Sequence, residues 1–305
     1  MNDFDITLRA EHTVSQRTVG LSGQRPLRLQ RVRLNGHNVP PHDHAFYEIF
    51  IVLDGGCRHE TATGQTRFTS GSVAVLAPGR IHAIGRSRVQ AINLYYLAEW
   101  LLDDLPTLWA EAGLVALFLE QALFRRPPGQ QVPQFALEPK ALEACTRDLN
   151  DLEAESQRPK PSLPFLKAAL MKCLCRLTRA AVAAHQVQPH GFRPEVWAYL
   201  NAVENAVQRG DAVAAGVPRT RSSIGNEHLA RLVREATGMS PTAYFQQRRI
   251  QNATLRLLDP SRTITEVALG SGFADAAHFS RGFRRHHGMS PSAFRRVYAS
   301  SSPSQ

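Results

Sequence analysis

Apolar residues in the first third of the chain alternate with polar ones or form short runs, and these patterns predict β-strands. The runs Tyr47–Leu53 and Ser72–Leu76 are each closed by a turn sequence, DGG and APG respectively. Similar runs extend from about residue 27 to residue 97. Several short strands separated by Gly and Pro turns are typical of a small barrel or sandwich. We therefore expect a β-barrel domain over residues 1–105.

Beyond residue 100 the hydrophobic period changes to that of amphipathic helices. Pro-rich stretches at 126–129 and 158–161 separate the helical patterns. The two clearest stripes are Leu142, Cys145, Leu149 and Leu152, and Phe165, Ala169, Cys173, Leu177 and Ala181. We predict a helical connector over residues 106–188, which either packs on its own domain or forms a dimer interface.

The last third of the chain contains an internal repeat. Residues 185–194 have the composition of a linker, and residues 300–305 form a polar tail that we expect to be disordered. Between them, residues 228–244 (HLARLVREATGMSPTAY) match residues 278–294 (HFSRGFRRHHGMSPSAF) at a constant offset of 50, with eight identities in 17 positions. Such a match without gaps indicates a duplicated unit.

Each copy of the repeat has the residues that end one helix and begin the next. A glycine, at 238 or 288, suits a left-handed helix cap, and Ser-Pro then supplies an N-cap and a first-turn proline. Ahead of the second copy, Ile264–Ala268 predicts a short helix that ends at a GSG turn, and Asp275 caps the next helix. A helix, a tight turn and a second helix make a helix-turn-helix unit, whose second helix enters the major groove of DNA.

The stretch ITEVALGSGFADAAHFSRGFRRHHGMSPSAFRR closely resembles the second helix-turn-helix of AraC-type regulators. The resemblance covers about residues 194–297, and in the first unit it is strong from residue 224 onward. Residues 210–225 depart from the family pattern, because an Arg/Ser-rich run replaces the supporting helix and Gly225 replaces the usual hydroxyl cap. The resemblance implies an all-α DNA-binding domain over residues 189–299, with a connecting helix at 242–258.

Contact residues follow from the resemblance by position. It places base-edge contacts of the second unit on Ala276, Ala277, His278 and Arg281. It places those of the first unit on Glu227, Ala230 and Arg231. Arginine grips guanine, glutamate accepts from cytosine, and alanine touches a thymine methyl group. It places phosphate contacts further along each helix, on Arg234, Arg284 and Arg285.

A histidine-rich motif lies in the β-rich region. Gly36, His42, His44, Glu48 and Gly55 fit the first cupin motif, and residues 71–82 resemble the second, with Ala77 in place of its proline. The resemblance implies that His42, His44, Glu48 and His82 converge inside a cupin-like barrel. Three imidazoles and a carboxylate suit Zn, Ni, Mn or Fe. Two interpretations remain open: these groups hydrogen-bond a polar effector directly, or they hold a divalent metal.

The charge distribution supports nucleic-acid binding. The 305 residues carry a net charge of +10, and residues 191–305 hold fifteen Arg, no Lys and eight acidic residues, which gives +7 in that segment. Arginine pairs with phosphates and base edges through a planar fork. Because the arginines follow the repeat and are not clustered in a tail, RNA or membrane-surface binding is disfavoured.

Composition places the chain in the cytoplasm. With 43% hydrophobic and 20% charged residues it has the make-up of a soluble globular protein. It has neither a signal-peptide pattern nor an apolar run long enough to span a membrane. The four cysteines lack zinc-finger spacing, which favours buried or free thiols.

We predict an α+β multidomain protein that binds specific DNA sequences and regulates transcription. Its effector is a small molecule, with sugars or related metabolites favoured by the resemblance, and its partners are double-stranded DNA, RNA polymerase if it activates, and a second copy in a homodimer. The alternative is a cupin-type metalloenzyme with an accessory DNA-binding domain. The imperfect second motif and the lack of a further acid–base constellation argue against an enzyme.

Overall fold

The computed structural model describes residues 10–22, 25–108, 111, 113–125, 132–187, 193–211 and 225–298. Within these residues the chain forms a β-rich N-terminal part and a helical C-terminal part, as the sequence predicts. The strands are β1 (His12–Val14), β2 (Leu27–His44), β3 (Tyr47–Thr61), β4 (Gly64–Thr69), β5 (Ser72–Leu76), β6 (His82–Tyr96) and β7 (Gln134–Ala136).

The strands form one sheet in the order β1-β2-β6-β3-β5-β7, with β4 paired to β3. Only the β1–β2 pair is parallel. In the described residues β1 and β7 are edge strands that do not pair with each other, so the sheet is open and not a closed barrel. Strand β7 comes from the predicted helical connector, which therefore contributes to the sheet as well as packing on it.

Register shifts interrupt the long strands β2, β3 and β6. Gly55 lies between two of them in β3 with φ of 77°, and a Cβ atom there would clash with the carbonyl oxygen of Arg88. Only glycine combines that conformation with such a close approach. An extra residue bends a strand and exchanges the faces to which the following side chains point.

The two faces of the sheet pack differently. Ile49, Ile51 and Ile92 point toward the helices and belong to the larger core. Phe50 and Val52 point to the other face. Val73 and Val75 do not join them, because they belong to the larger core. Phe50 pairs with Ala74, so the alternation of β5 puts Ala74 and Leu76 on that face.

In the part of the chain that the structure describes, a 3-10 helix (Ala98–Asp104) and five α-helices follow the main strands. These helices are α1 (Leu105–Leu108), α2 (Leu114–Phe118), α3 (Glu120–Leu123), α4 (Pro139–Ser156) and α5 (Leu163–Ala183). Helices α4 and α5 pack antiparallel, with Cys145 and Cys173 buried between them. The predicted stripe of α5 is wrong in its first turn, because Phe165 is 47% exposed and Leu166 and Leu170 are buried instead.

The C-terminal part is all-helical in the described residues. Its helices are α6 (Pro194–Arg209), α7 (Asn226–Thr237), α8 (Pro241–Leu257), α9 (Ile264–Gly270), α10 (Ala276–His287) and α11 (Pro291–Tyr298). Side chains of α6, α7 and the first turns of α8 share a core with the sheet and with helices α2–α5, whereas α9 and α10 pack with the rest of α8 around Phe279 and Phe283. Most of the irregular stretch 210–225 lies outside the described residues.

Candidate DNA interface and effector site

Local hydrogen bonds fix the ends of the two candidate recognition helices, α7 and α10. Asp275 caps α10 by accepting from the backbone N–H of His278 at 2.6 Å, and this bond lowers the pKa of the Asp275 carboxyl group. Gly238 and Gly288 end the two helices in the left-handed conformation, each with φ of 73°. The side chain of Ser240 caps the helix that follows α7, as predicted.

Most of the predicted contact residues lie on the solvent side of these helices. Phe279 and Phe283 are buried on α10, and Val233 is buried on α7, so the opposite faces are left to water. Ala230 and Ala276 are half-buried. The exposed members are Glu227, Arg231, Arg234, Ala277, His278, Arg281, Arg284 and Arg285.

The two helices differ in how their central arginine is held. Arg231 Nη1 donates to Glu235 Oε1 at 2.6 Å. At the repeat offset of 50, Glu235 corresponds to Arg285, so Arg281 has a cation and not a carboxylate one turn onward. An exposed pair of this spacing contributes only about 0.3–0.5 kcal/mol, so Arg231 can leave it at small cost. The sequence analysis overlooked this pair, although the i,i+4 spacing signals it.

Arg249 of α8 holds the second unit in place. Its Nε donates to the backbone oxygen of Ser271 in the turn before α10, at 3.0 Å. Its guanidinium lies 4.1 Å from the ring centroid of Phe273, a cation–π contact. Burial lowers the pKa of Arg249 to about 10. The connecting helix is thereby tied to the turn that orients the recognition helix.

Polar contacts join α8 to the N-terminal part. Gln247 Nε2 donates to the backbone oxygens of Ala122 and Leu123, each at 3.2 Å. The backbone N–H of Arg125 donates to the backbone oxygen of Thr237, at the end of α7, at 2.9 Å. The segment around α3 is therefore in direct contact with both α7 and the connecting helix.

The structure brings the four predicted cupin-type residues together. Glu48 Oε2 lies 3.0 Å from His44 Nε2 and 3.7 Å from His82 Nε2, and the rings of His42 and His82 are 4.4 Å apart between centroids. The candidate ligand atoms of His42, Glu48 and His82 all lie within 4.8 Å of one another. His44 sits beside this set of three, with Nδ1 2.9 Å from the backbone oxygen of Phe46.

His59 is a fifth member that the sequence analysis missed. Its Nε2 lies 3.2 Å from His82 Nδ1, and its Nδ1 lies 3.2 Å from Gln134 Nε2 on β7. Plain alternation along β3 puts residue 59 on the face opposite to Glu48. The register shifts between Val52 and residue 59 reverse that parity and turn the ring toward the cluster.

Burial favours the neutral form of two of these imidazoles, those of His59 and His82. It lowers the pKa of His59 to about 4, with a smaller effect from the nearby His42. Burial, followed by the three surrounding histidines, lowers the pKa of His82 well below its usual value. The Nε2 atoms of His44 and His82 have no hydrogen-bond partner among the described residues. Ring nitrogens without hydrogen-bond partners, together with the Glu48 carboxylate, can accept hydrogen bonds from hydroxyl groups or coordinate a metal ion.

Two protein families match the chain. Residues 26–158 match the AraC-like ligand binding domain, and residues 220–297 match a helix-turn-helix domain. Among the described residues, no helix has the length and apolarity needed to span a bilayer.

Relatives match either most of the chain or about a third of it. The HTH-type transcriptional activator RhaS of Pectobacterium carotovorum is 26% identical over 84% of this chain and 87% of its own length. The Msm operon regulatory protein of Streptococcus mutans is 29% identical over 32% of this chain and 36% of its own. Among solved structures, ToxT from Vibrio cholerae aligns over 90% of this chain and 99% of its own, with 13% identity and a TM-score of 0.40.

The architecture and these matches define the class: the chain is a DNA-binding transcription regulator with a ligand-binding domain. Within that class it belongs to the AraC-type regulators, whose ligand-binding and helix-turn-helix domains it carries in the same order. The resemblance identified from the sequence is confirmed.

Proposed function

We propose that α10 reads base edges through Arg281 and that α7 reads an adjacent major groove through Arg231. The observation that supports this most directly is the exposure of both arginines at equivalent positions of two capped helices. Arg285 and Arg284, nearer the end of α10, are proposed to contact phosphates and to supply affinity without sequence information.

Two substitutions on one helix test this assignment. Arg281→Ala should cost about 1–3 kcal/mol on the specific site and relax the preference at one base pair. Arg285→Ala should weaken binding to all sequences alike, because it removes a charge that releases counterions. Selection of binding sites from random duplexes measures both. An unchanged preference profile for Arg281→Ala would refute this placement of the helix.

The histidine cluster is proposed as the effector site. Its imidazole N–H groups can donate to hydroxyl groups, and its unprotonated ring nitrogens and the Glu48 carboxylate can accept from them, which suits a sugar or related polyhydroxy metabolite. His44→Ala should remove the influence of the effector on DNA binding and leave binding without effector nearly intact. An effector alters DNA affinity only if it binds two states of the protein with different affinities. We therefore expect the effector to change the DNA affinity of the wild-type protein by about 5- to 150-fold.

A divalent metal is the second candidate ligand, and the close approach of His42, Glu48 and His82 favours it. Two imidazoles and one carboxylate on one side of an ion form the two-histidine, one-carboxylate arrangement known from metal sites. A bound ion would offer coordination positions to effector oxygens. Metal analysis of the purified wild-type and His42→Ala proteins separates the two candidates. A stoichiometric ion that is lost in His42→Ala supports the metal, and a metal-free protein that responds to effector supports direct hydrogen bonding.

We further propose that the protein acts in the cytoplasm without enzymatic turnover, contacts RNA polymerase when it activates, and forms a homodimer through α4 and α5. Leu163 and Phe165 are exposed apolar residues at the start of α5, 38% and 47% accessible. Phe165→Glu should shift the sedimentation equilibrium toward monomer. Val297→Glu, at a comparably exposed site on α11, is the matched control.

A further inference from the structure

A basic groove lies between the connecting helix α8 and the recognition helix α10. It has a volume of about 410 Å³, and its walls include Gln246, Ile250, His278, Arg281 and Arg285. Arg281 and Arg285 also belong to the exposed face of α10 that is proposed to meet DNA. The groove is therefore continuous with the proposed DNA-binding surface.

One side chain in this groove comes from the ligand-binding part of the protein. Arg125 follows α3 directly, and its backbone is hydrogen-bonded to the end of α7 through Thr237. Its Nε donates to Gln247 Oε1 at 3.0 Å, which holds the exposed guanidinium at the groove. Burial lowers the pKa of His286, and the positive charge of Arg125 lowers it further.

The charge of the groove points to an anion. Three arginines and two histidines line it, and among the described lining residues there is no carboxylate to neutralise them. Guanidinium groups that converge without a carboxylate are a typical phosphate site. When two recognition helices occupy adjacent major grooves, the phosphate backbone between those grooves must pass between the helices. That is the position of Arg125.

We propose that Arg125 contacts a backbone phosphate of bound DNA, so that the ligand-binding domain itself supplies part of the DNA-binding surface. The inference rests on the proposed function of α7 and α10. It also gives that domain a direct means of changing DNA affinity, because any displacement of the α3 segment from α8 would withdraw this cation.

The salt dependence of DNA binding tests the proposal with the full-length protein. The probe is a duplex of arbitrary sequence of about 30 base pairs, three turns at roughly 10 base pairs each. One phosphate contact changes the slope of log affinity against log salt concentration by about 0.9. Arg125→Gln and Arg285→Gln should each reduce the slope by about that amount. Arg147→Gln removes an equally exposed arginine from α4 and should leave it unchanged.

A fourth variant separates the charge of residue 125 from its bond to Gln247. Arg125→Lys keeps the cation and the backbone bond to Thr237 but removes the guanidinium bond to Gln247, so its salt slope should stay close to that of the wild type. A wild-type slope in Arg125→Gln, or equal losses of slope in Arg125→Gln and Arg125→Lys, overturns the proposal while the function of α10 stands. If the wild-type protein shows no salt-dependent binding to the duplex, both this proposal and the proposed function of α10 are overturned.

Discussion

At the residue scale, the connecting helix is fixed by a buried ion pair. Arg248 Nε and Nη2 donate to the two carboxylate oxygens of Glu204 on α6, at 2.7 and 2.8 Å. Arg248 Nη1 donates to Gln251 Oε1 at 2.7 Å. Arg248 and Glu204 are both 1% exposed, so neither charge is compensated by water. The pair also reaches the ligand-binding part, because Arg248 Nη2 donates to the backbone oxygen of Leu102.

Removing one partner of this pair should be costly. Glu204→Ala leaves the Arg248 charge buried, and we expect the free energy of unfolding to fall by about 3–5 kcal/mol. Urea unfolding followed by circular dichroism measures it. The double variant Glu204→Leu, Arg248→Met is the control, because removing both charges should recover most of the loss. A loss of about 1 kcal/mol or less in the single variant, the value of an exposed pair, would contradict the assignment.

The stability of the second helix-turn-helix should depend on pH through His287. Burial, with a smaller effect of His286, lowers the pKa of His287 to about 3. The unfolded chain binds this proton near pH 6.5, so stability is fully present above that pH and falls as the pH drops toward 3. Each pH unit between 6.5 and 3 lowers the free energy of unfolding by up to about 1.4 kcal/mol. His287→Gln should make the free energy of unfolding depend less steeply on pH between 6.5 and 5. If the variant and the wild type showed the same dependence on pH, His287 would not be the group responsible.

At the scale of elements, α8 sets the spacing of the two recognition helices. It carries Arg249, which is bound to the turn of the second unit, and its first residues pack with α7. Both repeats therefore have fixed attachments to a single 17-residue helix. A rigid connection of this kind holds the two helices at a constant separation.

We expect two protected major-groove segments, roughly 10 base pairs apart, for each protein copy. Hydroxyl-radical footprinting on a selected binding site measures this spacing. Arg231→Ala should remove protection only from the segment of the first unit, and Arg281→Ala only from the other. A single segment in the wild-type protein would mean that the irregular stretch 210–225 prevents the first unit from binding.

The helix-turn-helix units were predictable from sequence because their determinants are local. Caps such as Asp275 and Gly288 act within a few residues, and the repeat provides a second example of Gly288 in Gly238. The sheet was less predictable. The position of His59 depends on register shifts that no local pattern records, and β7 joins the sheet only through long-range pairing. The three motif histidines and the carboxylate of Glu48 could be identified, but not which of these four residues approach one another most closely.

At the scale of the whole molecule, one segment lies between the effector site and the DNA-binding domain. Tyr47, next to Glu48 on β3, accepts a hydrogen bond from the backbone N–H of Gln121 at 3.2 Å. One residue further on, Ala122 accepts from Gln247 of α8. A continuous series of contacts thus runs from the strand of the effector site through α3 to the connecting helix.

Tyr47→Phe should weaken the coupling between effector and DNA. It keeps the ring and removes the acceptor for Gln121, so effector affinity should stay close to wild type. The ratio of the DNA affinities measured with and without effector should fall toward one. Fluorescence anisotropy with and without a sugar that raises the melting temperature of the wild type measures this. The control is Tyr95→Phe, because among the described residues the Tyr95 hydroxyl group bonds only to Asn93 and Gln30, both within the sheet. Equal coupling in Tyr47→Phe and the wild type would exclude this route.

The division of the hydrophobic core has a consequence for cooperativity. The first recognition helix shares its core with the ligand-binding part, whereas the second packs in a separate cluster around Phe279 and Phe283. Regions that do not share a core can open separately, with their own free energies. The boundary between folding units therefore falls between the two helix-turn-helix units and not between the ligand-binding and DNA-binding domains. A partial opening that releases α9–α11 would leave the sensor and the first recognition helix folded together.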